Sequence, residues 1–221
     1  MVVRSFPDLS LERELYATGF STLCGVDEAG RGPLCGPVVA AAVVLPPCST
    51  LPDTLLGLDD SKRLTPGQRT SLAEAIQRES LACGIALADV TEIDRLNIRR
   101  ATLLAMSRAV KALRSTTLAT PVSPAFILID GRDLPEELPC PARAVIHGDQ
   151  ISASIAAASI LAKTHRDRIM LELASRYPGY GWERNAGYPT GEHLRALATL
   201  GVTPEHRRTY GPVARIIAEA S

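Results

Sequence analysis

Val38-Val39-Ala40-Ala41-Ala42-Val43-Val44-Leu45 is a run of eight apolar residues set between Gly36-Pro37 and Pro46-Pro47. It is too short to span a bilayer as a helix. Because it does not alternate with polar residues, it predicts a strand buried on both faces, as in a layered α/β sheet. Thr22 to Asp27, just upstream, reads as a second strand. Before that, Ser10 is placed to cap a short lead-in helix through Leu11, Leu15 and Tyr16 that stops at Gly19. Downstream, Thr65-Pro66 supplies a cap and a first-turn proline, opening a helix to about Glu79. Leu81 to Val90 suggests a third strand, and Ile93, Leu96, Ala101, Leu104, Ala105, Val110 and Leu113 recur at helical spacing. Ala125 to Ile129 and Ala142 to Ile146 are short apolar strands ending near Asp130-Gly131 and Gly148-Asp149. A long helix is expected between Ile151 and Arg176, dense in Ala and Ser before Lys163. Thr190 can cap a helix ending at Gly201, and Thr203-Pro204 can start another. Strands alternating with helices in this way indicate an α/β domain around one sheet, with the residues from about 170 onward as a helical appendage.

The chain has 221 residues, 46% hydrophobic and 22% charged, which suits a single soluble unit able to bury a core. The N-terminal segment carries Arg4, Asp8, Glu12, Arg13 and Glu14 and no apolar stretch of the kind a secretory signal needs, so a cytoplasmic protein is expected. Five scattered cysteines without a CxxC pair indicate neither a disulfide framework nor a zinc cage. Basic and acidic residues balance at 24 each, which argues against a polycation that coats nucleic acid non-specifically.

Four carboxylates fall where strands end or a helix begins: Asp27 and Glu28, Asp130, and Asp149. Ligands and metals commonly bind at the strand ends of open α/β sheets. Each also has an ordinary reading, as a polar turn at Asp27-Glu28, a turn pair at Asp130-Gly131, or a helix cap at Asp149. If they converge, they could bridge two hard divalent ions, which activate water, neutralise phosphorus oxygens and assist a departing 3′ oxygen. Magnesium needs only oxygen ligands, which agrees with a chain that has no His/Cys cluster. The segment Gly30-Arg31-Gly32-Pro33-Leu34-Cys35-Gly36 is not GxGxxG, lacks a Gly-Lys-Ser/Thr ending and leads into a strand, which disfavours a nucleotide loop. Its glycines would let backbone approach a sugar-phosphate while Arg31 contacts it; a tight turn between two strands fits the same residues. The Ala/Ser stretch from Ser152 to Ala162 reads as packing, with no catalytic role for Ser154 or Ser159. The four histidines, His147, His165, His193 and His206, stand in unrelated sequence contexts.

Gly25-Val26-Asp27-Glu28-Ala29-Gly30-Arg31-Gly32-Pro33-Leu34-Cys35-Gly36-Pro37-Val38-Val39 resembles the opening signature of the ribonuclease HII family. Asp60-Ser61-Lys62-Arg63-Leu64, Ile129-Asp130-Gly131, Gly148-Asp149, the run Ile155 to Lys163, Arg166-Asp167, Gly187-Tyr188 and His206-Arg207 follow in that family's order, covering about Cys24 to Val213. The resemblance implies a ribonuclease H-like fold, a central mixed sheet flanked by helices. It implies Asp27, Glu28, Asp130 and Asp149 as catalytic, metal-binding residues for two Mg²⁺ ions, or Mn²⁺ as a substitute. It further implies that Gly30, Arg31 and Gly32 contact the sugar-phosphate and that Tyr188 helps sense the 2′-hydroxyl, the group that tells RNA from DNA. Lys62, Lys163, His206 and Arg207 match positions for phosphate contact or support of the site. For Lys163 an ion pair with Asp167, one helical turn on, competes with that role. The implied activity is hydrolysis of the RNA strand of RNA/DNA hybrids and nicking 5′ of single ribonucleotides in duplex DNA, leaving 5′-phosphate and 3′-hydroxyl ends. A monomer is expected, and association with a replication clamp or polymerase stays open. Two departures are local: Arg184-Asn185-Ala186 precedes Gly187-Tyr188 where the family usually has a His-Lys segment, and Thr209-Tyr210 stands where Ser-Phe is common. The competing readings are ribonuclease HIII, which usually has an extra N-terminal domain and a lysine in its glycine segment, and a hybrid-binding module that does not cut.

Overall fold

The computed structural model describes residues 6–219. In chain order the elements are α1 (Ser10–Ala17), β1 (Leu23–Ala29), β2 (Val38–Val44), α2 (Pro66–Glu79), β3 (Ala82–Ala88), α3 (Val90–Leu96), α4 (Ile98–Lys111), β4 (Arg114–Ser115), β5 (Phe126–Asp130), β6 (Ala142–Val145), α5 (Ala153–Arg176), α6 (Trp182–Asn185), α7 (Gly191–Leu200) and α8 (Gly211–Glu219). The six strands form one mixed sheet in the order β4-β3-β2-β1-β5-β6. The first four pair antiparallel in sequence, while β5 runs parallel to β1 and β6 parallel to β5.

All seven residues of β2 are buried, as the unbroken apolar run requires. Ala41 and Val43 face a cluster built with α2 and α5; Ala40, Ala42 and Val44 face one built with α4. Covering both faces of such a strand contributes about 1.5–3 kcal/mol for each fully buried valine. The same parity in β1 sends Cys24 and Val26 toward α4 and Gly25 toward α5, where a Cβ would stand 2.2 Å from the Ser154 carbonyl carbon. The small side chains of Ala153, Ala156, Ala157 and Ala158, all fully buried, let α5 lie this close. Beyond Ala162 the helix leaves the sheet, and Met170 and Leu173 pack with Cys35, Tyr180, Trp182 and Ala196.

The cap at Thr65 is a reciprocal one, with Gln68 N donating to Thr65 Oγ1 (3.3 Å) and Thr65 N to Gln68 Oε1 (2.9 Å). Thr190 caps α7 through His193 N as expected. Other expectations are corrected. Ser10 is the first helical residue and not the cap; Asp8 Oδ1 accepts from its amide at 2.7 Å. The segment from Ile93 to Leu113 is two helices, because Asn97 adopts φ 67° and its side chain caps α4 through Arg100 N. Ser152, not Asp149, caps α5, accepting from Ile155 N at 3.3 Å. Thr203-Pro204 forms a turn, since the Thr203 amide and hydroxyl are both engaged by His206 Nδ1, and the last helix begins only at Gly211. Among the described residues no helix is long and apolar enough to cross a membrane.

Candidate active site

Asp27 and Glu28 are consecutive in β1, so their side chains leave on opposite faces of the sheet. Asp27 leaves on the α5 face and is 4% exposed. Glu28 leaves on the α4 face, where Arg31 Nη1 donates to its Oε1 at 3.2 Å. Both lie at the end of the strand, beside Asp130 at the end of parallel β5, and oxygens of the three carboxylates come within 4.8 Å of one another. Asp149 does not join that triad but is tied to it. Gly148 N donates to Asp130 Oδ1 at 2.7 Å, anchoring the turn after β6 that carries the buried Asp149.

The electrostatics of the cluster are those of crowded like charges. Burial raises the Asp27 carboxyl well above the usual carboxylate range, and Glu28 and Asp130 raise it further; the Ser159 side chain and the Glu28 amide, at 2.6 Å, pull it back. Asp149 is pushed up to about 6, first by burial and then by Asp130 and Asp60. Like charges packed this tightly repel strongly unless a cation joins them. An all-oxygen donor set with partly buried carboxylates fits a hard divalent ion and does not fit a soft-metal cage. Lys62, on the turn Ser61–Arg63, faces the same cluster. Burial lowers its ammonium, but Asp60, Asp27, Asp149 and Glu28 together outweigh burial and raise it. Its side chain is still largely exposed.

The glycine segment between β1 and β2 is held from within by two buried arginines. Arg207 donates to the carbonyls of Gly30 (2.6 Å), Arg31 (3.0 Å) and Gly36 (2.8 and 3.0 Å). Arg166 donates to Cys35 O (3.1 Å), Pro37 O (3.1 Å) and Ala186 O (3.0 Å). Gly30, at φ +101°, has no room for a side chain, since a Cβ would lie 2.1 Å from Arg166 Nε. Gly32 faces the Tyr188 ring, with a Cβ position 3.3 Å from its Cε1, and Tyr188 remains 42% exposed. Backbone bonds add to this frame: Leu34 N to Gly187 O (2.8 Å), Arg207 N to Leu34 O (2.8 Å) and Gly36 N to Glu205 O (2.9 Å).

Among the residues expected at the site, Asp27, Glu28 and Asp130 meet at the strand ends, Asp149 and Lys62 are electrostatically coupled to them, Arg31 reaches back to Glu28, and Tyr188 packs against Gly32 of the glycine segment. His206 and Arg207, expected for phosphate contact or support of the site, are both fully buried with their polar atoms engaged by the protein: Arg207 holds carbonyls of the glycine segment, and His206 bonds Thr203 and His193. Lys163 pairs with Asp167 at 2.5 Å, and Arg69 reaches the same carboxylate at 3.3 Å. Arg184 is paired with Glu183 and Glu192. His193 and His206 are not in unrelated settings; their Nε2 atoms are 3.2 Å apart, and Trp182 Nε1 donates to His193 Nε2 at 3.0 Å. Sequence reasoning missed Ser159, whose side chain bonds Asp27 and whose Oγ lies 3.0 Å from Ser61 Oγ. Its only signal was a hydroxyl recurring among alanines. It also missed Tyr210, whose hydroxyl donates to Arg31 O at 2.7 Å and accepts from Arg207 Nη1 at 3.0 Å.

Comparison with known proteins gives a consistent result. Residues 24–212 match the family model described as ribonuclease HII. A curated ribonuclease HII of Ruegeria pomeroyi is 56% identical over 211 residues, which is 96% of this chain and 85% of that protein. Among solved structures, the ribonuclease H2 of Pyrococcus horikoshii superposes with a TM-score of 0.73 at 27% identity, over 90% of this chain and 98% of that one. The ribonuclease HII of Archaeoglobus fulgidus, solved in a complex with PCNA, gives 0.67 at 26% identity, over 88% and 96%.

Proposed function

The chain belongs to the ribonuclease HII family and is a ribonuclease H, a metal-dependent endonuclease, and from that premise we propose which residues perform the reaction and on what substrate. The observation that carries the reading is the meeting of Asp27, Glu28 and Asp130 within 4.8 Å at adjoining strand ends, with the turn that carries Asp149 anchored to Asp130 through the Gly148 amide. These four carboxylates would hold two Mg²⁺ ions, or Mn²⁺, which when bound supply an activated water, neutralise the phosphorus oxygens and assist the departing 3′ oxygen.

The protein's own residues do the rest. Ser159 and the Glu28 amide fix the Asp27 carboxylate. Arg31, held against Glu28, and the backbone of Gly30 and Gly32 receive the sugar-phosphate, with Lys62 contributing positive charge beside the carboxylates. Tyr188, exposed and facing Gly32, lies against the ribose and reads its 2′-hydroxyl. Water attacks phosphorus and gives up a proton, the bond from phosphorus to the 3′ oxygen breaks, and that oxygen takes up one proton as it leaves, so that no net proton is required. The products carry a 5′-phosphate and a 3′-hydroxyl. The substrates are RNA/DNA hybrids and DNA duplexes with embedded ribonucleotides, cut 5′ of the ribonucleotide by a cytoplasmic monomer acting as one catalytic unit.

The test is a DNA duplex containing one ribonucleotide, incubated with the protein and Mg²⁺. A nick on the 5′ side of the ribonucleotide, abolished by a chelator, is the expected result. Binding without cleavage in either Mg²⁺ or Mn²⁺ would overturn the reading in favour of a hybrid-binding module.

A further inference from the structure

Two chain segments far apart in sequence form the surface assigned above to the ribose: the glycine segment, residues 30 to 37, and the segment 186 to 188 that ends in Tyr188. Arg166 of α5 bonds both. Its Nε and Nη2 hold Pro37 O and Cys35 O, and its Nη1 holds Ala186 O, all at 3.0–3.1 Å. The guanidinium is fully buried, 1% exposed, and burial pushes it down to about 10. A planar, rigid donor fork of this kind fixes both distance and angle between the groups it bridges, which a flexible ammonium does not. Ala186 itself is left-handed, at φ 47°, a conformation unfavourable for a residue with a side chain. It is held there in part by the bond to Arg166. Gly187, next along, sits so close to Cys35 that a Cβ would stand 2.7 Å from Sγ. Arg207, by contrast, bonds only to the glycine segment and Tyr210, and makes no bond to residues 186 to 188 among the described residues.

We propose that Arg166 is a positioning residue for substrate selection: it sets the gap between Gly32 and the Tyr188 ring at which a single ribose is recognised. The inference rests on the assignment of that surface to the ribose. In a continuous hybrid the enzyme can engage ribose at many registers. A lone ribonucleotide offers one 2′-hydroxyl, which must meet Tyr188 in a single register. Loosening the gap therefore penalises the lone ribonucleotide more than the hybrid. Arg207, which shapes one wall only, affects both substrates alike.

The experiment compares kcat/KM on a hybrid with kcat/KM on a duplex holding one ribonucleotide, for the wild type, Arg166→Lys, Arg207→Lys, Tyr188→Ala and the double variant Arg166→Lys/Tyr188→Ala. Thermal melting verifies that each is folded, and because the readout is a ratio, a partly unfolded population lowers both terms together. Arg166→Lys is expected to lower the ratio of lone-ribonucleotide to hybrid cleavage by about fivefold or more, through kcat, on the scale of the ~1 kcal/mol of a lost hydrogen bond. Arg207→Lys should lower both rates with the ratio kept. In the double variant Arg166→Lys should add nothing to the shift caused by Tyr188→Ala, the signature of one residue acting through another. A ratio unchanged in Arg166→Lys while Tyr188→Ala shifts it overturns the inference and leaves the assignment of Tyr188 standing. A ratio unchanged in Tyr188→Ala overturns that assignment, and the inference with it.

Discussion

The buried histidine pair makes the protein's stability depend on pH in a way that can be worked out from its hydrogen bonds. Trp182 Nε1 donates to His193 Nε2, so His193 carries its proton on Nδ1 and donates it to Tyr188 O at 3.0 Å. Thr203 N donates to His206 Nδ1, so the His206 proton sits on Nε2, aimed at His193 Nε2. Both rings are therefore neutral and neither has a free nitrogen to accept another proton without losing a bond. Burial, then the neighbouring His193, lowers His206 to about 4 from an ordinary value of 6.5. A folded value below the unfolded one means that the unfolded chain binds more protons between the two. The contribution is complete above about pH 6.5 and is lost as pH falls toward 4. The loss amounts to ~3 kcal/mol at the acid end and ~2 kcal/mol at about pH 5. Urea denaturation at about pH 7.5 and about pH 5 measures it, on the wild type and on His206→Asn, which keeps an acceptor for the Thr203 amide but does not titrate. The variant should be less stable near neutrality and should lose ~2 kcal/mol less than the wild type on acidification. Equal losses in the two proteins would refute the reasoning.

Three further outcomes follow from the geometry. Asp130→Asn should lower turnover on the order of a thousandfold while the melting temperature of the metal-free protein holds or rises, because one of three crowded charges is removed; full activity would take Asp130 out of the mechanism. Gly25→Ala places a methyl 2.2 Å from the Ser154 carbonyl carbon and should cost about 1–3 kcal/mol in denaturant unfolding, whereas an unchanged midpoint would contradict the close approach of β1 and α5. Tyr210→Phe removes the donor to Arg31 O and the acceptor for Arg207, so KM for a hybrid should rise a few-fold with a stability loss of about 1 kcal/mol; unaltered KM would show that the Arg31 backbone does not need this tether.

Much of the sheet could be read from the chain because its signals are local. The apolar run at Val38, the Thr65-Pro66 cap and the small residues of α5 each carry their reason within a few positions. The breaks were harder. Asn97 divides what spacing alone presents as one helix, because a left-handed backbone and a side-chain cap leave no trace in hydrophobic periodicity. The four carboxylates could be selected, since strand ends and the family signature both point at them, but their convergence depends on β5 pairing parallel to β1, a long-range event. Residues behind the site were read least well. His206 and Arg207 resemble surface cations in sequence, yet the fold buries both: the carbonyls of the glycine segment need donors that its own turn does not supply, which Arg207 provides, and His206 is held between Thr203 and His193. Ser159 looked like packing because its partner Asp27 is 132 positions away.

The most direct test of the account is Mn²⁺ binding to the metal-free protein, followed by electron paramagnetic resonance with and without a hybrid duplex. The wild type should take up Mn²⁺ saturably, and Asp27→Asn and Asp130→Asn, each folded by melting, should lose that uptake. Mn²⁺ uptake by both variants equal to that of the wild type would contradict the claim that these strand-end carboxylates hold the ions.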